Sequence, residues 1–143
     1  MVTARDILQR KGSQVHAAAP DLTVLEALAR MAEHNVGALI VVQEEKLVGI
    51  FSERDYARKV VLKGKISRDT LVREIMTPDP VAIAPGTEIR ECMRLMTERQ
   101  IRHLPVIDGE VVAGVLSIGD VVKYIIEDQE DSIQNLTRYI TGR

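Results

Sequence analysis

The sequence predicts an α+β fold assembled from one unit used twice, and three observations carry that prediction. The stretch Gly114-Val115-Leu116-Ser117-Ile118-Gly119-Asp120 has an earlier copy in Gly49-Ile50-Phe51-Ser52-Glu53-Arg54-Asp55, 65 residues upstream. From Pro20 to Asp55 the chain repeats at that offset without a gap, with identical pairs Pro20/Pro85, Glu26/Glu91, Met31/Met96, Leu39/Leu104, Val41/Val106, Gly49/Gly114, Ser52/Ser117 and Asp55/Asp120. Within each copy, apolar residues at helical spacing give way to continuous, β-branched apolar runs too short to be helices.

Composition bounds what such a unit can do. A chain of 143 residues fits one ordinary domain. With 45% hydrophobic but only 3% aromatic residues, its core must be aliphatic. The net charge of -2, without a basic stripe, argues against a nucleic-acid partner. No apolar run approaches the ~20 residues that cross a bilayer, and the start Met1-Val2-Thr3-Ala4-Arg5-Asp6 lacks the apolar segment of a signal peptide. The expectation is a soluble, cytoplasmic protein without a membrane partner. Cys92, the one cysteine, cannot form an internal disulfide. It stands opposite Ala27 in the repeat, on a helix face, and is expected to be a buried, inert thiol.

Element by element, residues 3–11 predict a short helix with Thr3 as N-cap, Asp6 in the first turn and Gly12 as the stop. Residues 15–19 predict a short strand before Pro20. Residues 21–35 predict an amphipathic helix with Leu22, Leu25, Leu28, Ala29 and Ala32 on its apolar stripe. The run 38–42 is a buried strand, Glu44-Glu45 a turn, and 46–52 the second arm of a hairpin. A helix over 53–62 ends at Lys63-Gly64. A polar connector, 65–69, leads to a short helix over 70–76 that Pro78 and Pro80 stop. The second unit repeats the plan: strand 81–84, helix 88–100, strand 104–107, turn Asp108-Gly109-Glu110, strand 111–117 and helix 118–127. Asp108-Gly109 is the stronger of the two hairpin signals. In the tail, Ile133, Leu136 and Ile140 form a helical stripe without a repeat partner, which packs back on the body or meets another subunit. A unit this small buries too little surface alone, so two copies are expected to share one pseudo-two-fold body.

The duplicated pattern resembles a CBS-domain pair, also called a Bateman module, over residues 15–127. The residues that carry the resemblance are Leu104-Pro105-Val106-Ile107-Asp108, the Gly114-x-x-Ser117-x-x-Asp120 terminus with its echo Gly49-x-x-Ser52-x-x-Asp55, and Met76-Thr77-Pro78. The whole chain is similar to stand-alone CBS-pair proteins of bacteria and plant organelles. The resemblance implies tandem CBS repeats, each β-α-β-β-α, over 13–64 and 76–128, in one module spanning 1–143 with a C-terminal helix over 129–143. It implies a regulatory sensor rather than an enzyme, taking AMP, ADP or ATP, or else NAD(H) or S-adenosylmethionine, in clefts between the repeats. It further implies a homodimer, with helices of two modules packed into a flat disc, and a regulated protein partner of unknown identity.

Carried over residue by residue, the resemblance implies that Asp120 or Asp55 takes the ribose hydroxyls and that Ser117 or Ser52 lies beside ribose and phosphate. Backbone groups around Ile83 and Ala84, or Val15, His16 and Ala17, would read the adenine edge. Thr77, Leu104 and Pro105 complete the candidate site of the second repeat, and Ala38 and Leu39 that of the first. Asp120 and Ser117 are expected to be the principal contacts, with Asp55, Ser52 and Arg54 serving the sister cleft.

The residue chemistry agrees. An ionised carboxylate accepts two strong hydrogen bonds from a cis-diol, and a Ser with free N–H groups at the start of helix 118–127 suits a phosphate. Gly119 removes a side chain from a point of close approach. Arg102 and His103 could add positive charge; their counterparts are Gly37 and Ala38, so the two clefts are not equivalent.

Ser-x-x-Asp before an apolar helix is equally a capping arrangement, and a copied fold copies its caps. Arg54 either reaches a phosphate across the cleft or pairs with Glu53 or Asp55. His16, His34 and His103 lack metal-ligand spacing, and no P-loop or nucleophile–base pair is present. A ligand-independent, dimerising protein that regulates partners by contact is the competing reading.

Overall fold

The backbone of residues 1–12 and 14–141 is described by a computed structural model. Local chemistry starts and stops its helices. Helix α1 (Ala4–Lys11) opens at Thr3, whose backbone N–H donates to Asp6 Oδ2 at 2.9 Å, and ends at Gly12, whose positive φ of 96° favours glycine. After strand β1 (Ala17–Ala18), helix α2 (Val24–His34) is capped by Thr23 Oγ1, which accepts from the Glu26 N–H at 3.1 Å. Asn35 terminates α2 in the left-handed region at φ 52°, as Gln100 at φ 54° does for α5 (Ile89–Arg99).

Strands β2 (Ala38–Gln43) and β3 (Lys46–Ser52) form a hairpin, as β5 (His103–Asp108) and β6 (Val111–Ser117) do, each with a register shift at the same repeat position. Helix α3 (Glu53–Asp55) runs into π-helical turns over Tyr56–Val61. Helix α4 (Val72–Ile75) precedes a two-residue strand β4 (Thr77–Pro78), and α6 (Ile118–Thr141) closes the chain. The four-stranded sheet runs β1-β2-β3-β4, and the second sheet is the β5-β6 hairpin.

Three elements differ from expectation. The buried seam of α2 is Val24, Ala27 and Met31, whereas Leu25 is 47% exposed and Ala29 and Ala32 face solvent. The same seam recurs in α5 as Ile89, Cys92 and Met96. Its middle position must be small where helix meets sheet, so the larger leucines fall outside it. Residues 81–84 form no strand. Ile83 makes one parallel bridge to Val106, while Thr77-Pro78 pairs with Ile50 and Gly49. Finally, helix 118–127 and the tail are one continuous helix, since nothing between Asp120 and Thr141 is Gly or Pro. Ile133 is exposed there; the side chains of Leu136 and Ile140 lie outside the described residues.

The leading helices cross between the repeats. Ala4, Ile7 and Leu8 of α1 belong to the core of the second repeat, with Ile83, Cys92, Leu104 and Leu116. Val72 and Ile75 of α4 belong to the core of the first, with Val24, Val41 and Phe51. The hydrogen bonds repeat in register: Ala4 and Arg5 N–H donate to Thr87 and Pro85 carbonyls, as Val72 and Arg73 do to Leu22 and Pro20. A Cβ on Gly114 would lie 2.6 Å from Leu8 Cδ2, and one on Gly49 2.5 Å from Met76 Sδ. Each glycine is the hole into which the other segment's side chain fits.

Candidate functional site

The two Ser-x-x-Asp motifs are built as caps. Ser52 N–H and Oγ–H donate to Asp55 Oδ2 at 2.9 and 3.0 Å, and Asp55 N–H returns to Ser52 Oγ at 3.2 Å. Ser117 N–H donates to Asp120 Oδ2 at 2.8 Å, and Asp120 N–H to Ser117 Oγ at 3.1 Å. Capping uses one oxygen of each carboxylate. The further partner distinguishes the two copies: at Asp55 it meets Oδ1, whereas at Asp120 it shares Oδ2 with the cap.

At Asp55, Oδ1 receives the Thr77 hydroxyl at 3.3 Å and the Lys59 amine at 3.2 Å. Thr77 is there because Thr77-Pro78-Asp79-Pro80 cannot continue α4, so the chain extends and adds β4 to the edge of β3. These groups line a cleft of about 830 Å³ between the repeats. Ser52, Glu53, Arg54, Asp55, Arg58 and Lys59 come from one side, Thr77 and Asp79 to Val81 from the connector, and Gln100 to His103 with Ser117 and Ile118 from the other. Four cations, Arg54, Arg58, Lys59 and Arg102, stand against three carboxylates, and Ile50, Pro80, Val81 and Ile101 supply apolar wall. Arg54 spans the cleft, its Nη1 donating to the Gln100 carbonyl at 3.0 Å. Among the described residues it pairs with neither Glu53 nor Asp55.

At Asp120, the partner is an ammonium. Lys11 Nζ donates to Asp120 Oδ2 at 2.6 Å and to the Val115 carbonyl at 2.8 Å. Burial raises the Asp120 pKa, but the Lys11 amine and the Ser117 N–H outweigh it and hold the carboxyl below its ordinary value. Half-buried His103 is pushed below the ordinary imidazole value by burial; Asp120 pulls it back up, and Lys11, Arg102 and Arg54 push it further down. Cys92 is fully buried, its thiol pushed up to about 11 chiefly by desolvation.

The candidate residues therefore regroup. Ser52, Arg54 and Asp55 of the first repeat share one cleft with Thr77, Arg102, His103 and Ser117, which were grouped with the second. Asp120 and Gly119 do not line it, nor do Leu104, Pro105, Ile83 and Ala84. The Ile83 backbone is paired with β5, donating to the Pro105 carbonyl and accepting from the Ile107 N–H. On the other side, the His16 carbonyl accepts from Ile40 N–H and the Ala17 carbonyl from Arg30 Nη1. Val15, His16, Ala17, Ala38 and Leu39 lie outside the cleft, Leu39 being fully buried. The N–H groups at the start of α6 are also partly spent: Ile118 donates to the Arg102 carbonyl and Asp120 to Ser117. Sequence reasoning missed Val81, Lys59, Arg58 and Gln100. The signal for the segment after α4 is a second internal repeat, Ala4-Arg5-Asp6-Ile7-Leu8 against Val72-Arg73-Glu74-Ile75-Met76, at an offset of 68 residues.

Duplicated helix–hairpin–helix units with crossed leading segments and a cleft between them define a tandem-repeat module. The family model of the CBS domain matches residues 4–62 and 72–127, and the chain belongs to that family as a CBS-domain pair. The CBS domain-containing protein CBSX3, mitochondrial, of Arabidopsis thaliana is 38% identical over 149 residues, covering 98% of this chain and 72% of that protein. The solved CBS domain NE2398 is 47% identical with a TM-score of 0.84, covering 87% of this chain and 98% of its own. The CBS-domain pair of MJ0100, solved with 5′-methylthioadenosine and S-adenosyl-L-methionine, is 25% identical with a TM-score of 0.80, covering 90% of this chain and 98% of its own. Among the described residues no helix is long and apolar enough to cross a membrane.

Proposed function

We propose that this CBS pair senses an adenosine-containing nucleotide, of the AMP, ADP, ATP or NAD type, in the cleft built around Asp55. The observation that carries the reading is the second oxygen of Asp55. With Oδ2 committed to the cap, Oδ1 meets a long Thr77 hydroxyl contact and a half-exposed lysine, both of which can yield to a ribose diol. The base packs on Ile50, Pro80, Val81 and Ile101, and phosphates meet Arg54, Arg58 and Arg102. The cleft volume is within the range of small-molecule sites. A phosphate that engages Arg54 competes with the Gln100 carbonyl and so loosens a tie between the repeats. A ligand that favours one packing of the repeats shifts their balance and changes the surface offered to a partner. The reading assigns no catalysis.

Calorimetric titration with AMP, ATP, NADH and S-adenosylmethionine tests it. Saturable binding of one of them is expected. Asp55→Asn should weaken it ~10–100-fold, the value of two hydrogen bonds to a charged acceptor. Thr77→Val, which leaves the Ser52–Asp55 cap intact, should weaken binding more than it lowers Tm. No heat from protein shown free of co-purified nucleotide would sink the reading.

The contact-regulator reading is favoured by a different observation: Met93 on α5 and Val122, Ile126 and Ile133 on α6 are exposed. If the protein dimerises through them, Val122→Asp with Ile126→Asp should reduce the light-scattering mass to a monomer.

A further inference from the structure

One imidazole on the cleft wall has both ring nitrogens unspent. His103 opens β5 and pairs in register with Ser117, and both residues line the cleft. Its repeat counterpart is Ala38, and Arg102 beside it stands in place of Gly37. A Cβ added to Gly37 would lie 3.6 Å from His103 Nε2 and 3.7 Å from Glu53 Oε1. The ring therefore crosses from the second repeat to bare backbone of the first, where the Glu53 carboxylate also arrives. Among the described residues neither ring nitrogen has a hydrogen-bond partner, and no buried side-chain nitrogen or oxygen lacks one. The nitrogens are thus reached by solvent. The charged groups that face the ring come from three other elements: Glu53 and Arg54 from α3, Asp120 from α6 and Lys11 from α1, with Arg102 adjacent in the chain. Burial pushes the free imidazole toward its uncharged form, Asp120 resists, and Lys11, Arg102 and Arg54 add to the push.

We infer that His103 is a proton-dependent phosphate contact, so that the cleft takes up a nucleotide phosphate and a proton together. The inference rests on the nucleotide reading above and adds its regulation: the signal is a nucleotide weighted by acidity. Lys11 and Asp120 are already paired with each other at 2.6 Å, which leaves Arg54 and Arg102 as the cations that keep a proton off the ring. A phosphate among those guanidinium groups brings up to two negative charges. It cancels their repulsion and supplies an acceptor for an imidazolium N–H, a charge-assisted bond of the stronger kind. The proton comes from solvent and settles on the imidazole, and no bond of the nucleotide forms or breaks. By linkage, proton and nucleotide strengthen each other by the same factor. Affinity therefore rises as pH falls, by at most about tenfold per pH unit for one proton. The rise ends where the phosphate itself protonates, near a pKa of about 6. Ala38 carries no titratable group at the corresponding place.

Calorimetric titration of the intact chain with AMP and ATP near neutral pH, in two buffers of different ionisation enthalpy, counts the protons taken up on binding. The wild type should take up a fraction of a proton that His103→Gln and His103→Lys do not. Subtracting the variants removes whatever the ligand's own phosphate contributes. At about pH 6.5 the wild type should bind ~3–10-fold more tightly than His103→Gln, and above about pH 8 the two should converge, an outcome that a merely structural role would not give. Thermal melts establish that each variant is folded, and either variant suffices as the control. Uptake that is absent from the wild type, or equal in the wild type and a folded variant, would overturn the proton linkage and leave the Asp55 reading standing. No binding of AMP or ATP by the wild type at either pH would overturn both.

Discussion

Asp55 and Asp120 show how one residue type serves two purposes at once. Each carboxylate caps a helix, and replacing it costs about 1 kcal/mol of stability whatever else it does. A stability measurement therefore cannot report on ligand binding at either position. The pH dependence of stability can separate their neighbours. Because the Asp120 pKa is lowered on folding, its contribution is fully present above the ordinary value of 3.8 and is lost as pH falls through the folded value. His103 is also lowered, so the folded state resists its protonation; that contribution is present above 6.5 and is lost as pH falls below it. His103→Gln should flatten the decline of Tm between about pH 7 and 5, and Lys11→Ala should flatten the decline below about pH 4. Melts followed by circular dichroism across that range measure both, and unchanged slopes would refute the assignments.

Among the elements, the two hairpins are an internal comparison. Both connect through two residues, Glu44-Glu45 and Gly109-Glu110. Glu44 and Glu45 both adopt positive φ, 52° and 66°, whereas in the second turn the positive φ of 65° falls on Gly109. Two adjacent non-glycine residues in the left-handed region are strained, and they also carry like charges. Replacing Glu44-Glu45 with Asn-Gly should raise stability by about 1 kcal/mol without touching the cleft. Chemical denaturation measures the gain, and nucleotide affinity should not move.

At the scale of the whole molecule, the crossed leading helices make the repeats inseparable. The first repeat lends α1 to the second, and the connector lends α4 and β4 to the first. Deleting residues 1–11 removes Ala4, Ile7 and Leu8 from the core of the second repeat. Burying one isoleucine and one leucine is worth roughly 3–6 kcal/mol, which is comparable to the whole stability of a small domain. The truncated chain should lose amide protection first in α5, β5 and β6, read by hydrogen exchange, with the first-repeat amides holding out longer. Uniform loss would mean that the two cores unfold as one.

The duplicated architecture was open to the sequence because periodicity is a local property. Apolar spacing at 3.6 residues, β-branched runs, Thr3 as a cap and Gly12 as a stop act within a few residues of themselves. An ungapped 65-residue offset likewise needs no coordinates. The pairing of the site residues was not open to it. Ser52 and Asp55 meet Arg102 and His103 only because each leading segment docks on the other repeat, and that docking depends on glycine holes at Gly49 and Gly114 filled from the opposite end of a module. Val81 enters the cleft, and Ile83 leaves it, because one parallel bridge to Val106 replaces the strand that propensity alone would draw. That α1 ends with Lys11 at Asp120, while the segment after α4 brings Thr77 to Asp55, is likewise decided by the tertiary structure. Local patterns determine elements because their physics is short-ranged; which elements share a site is decided by long-range packing, where complementarity between distant surfaces selects one partner over another.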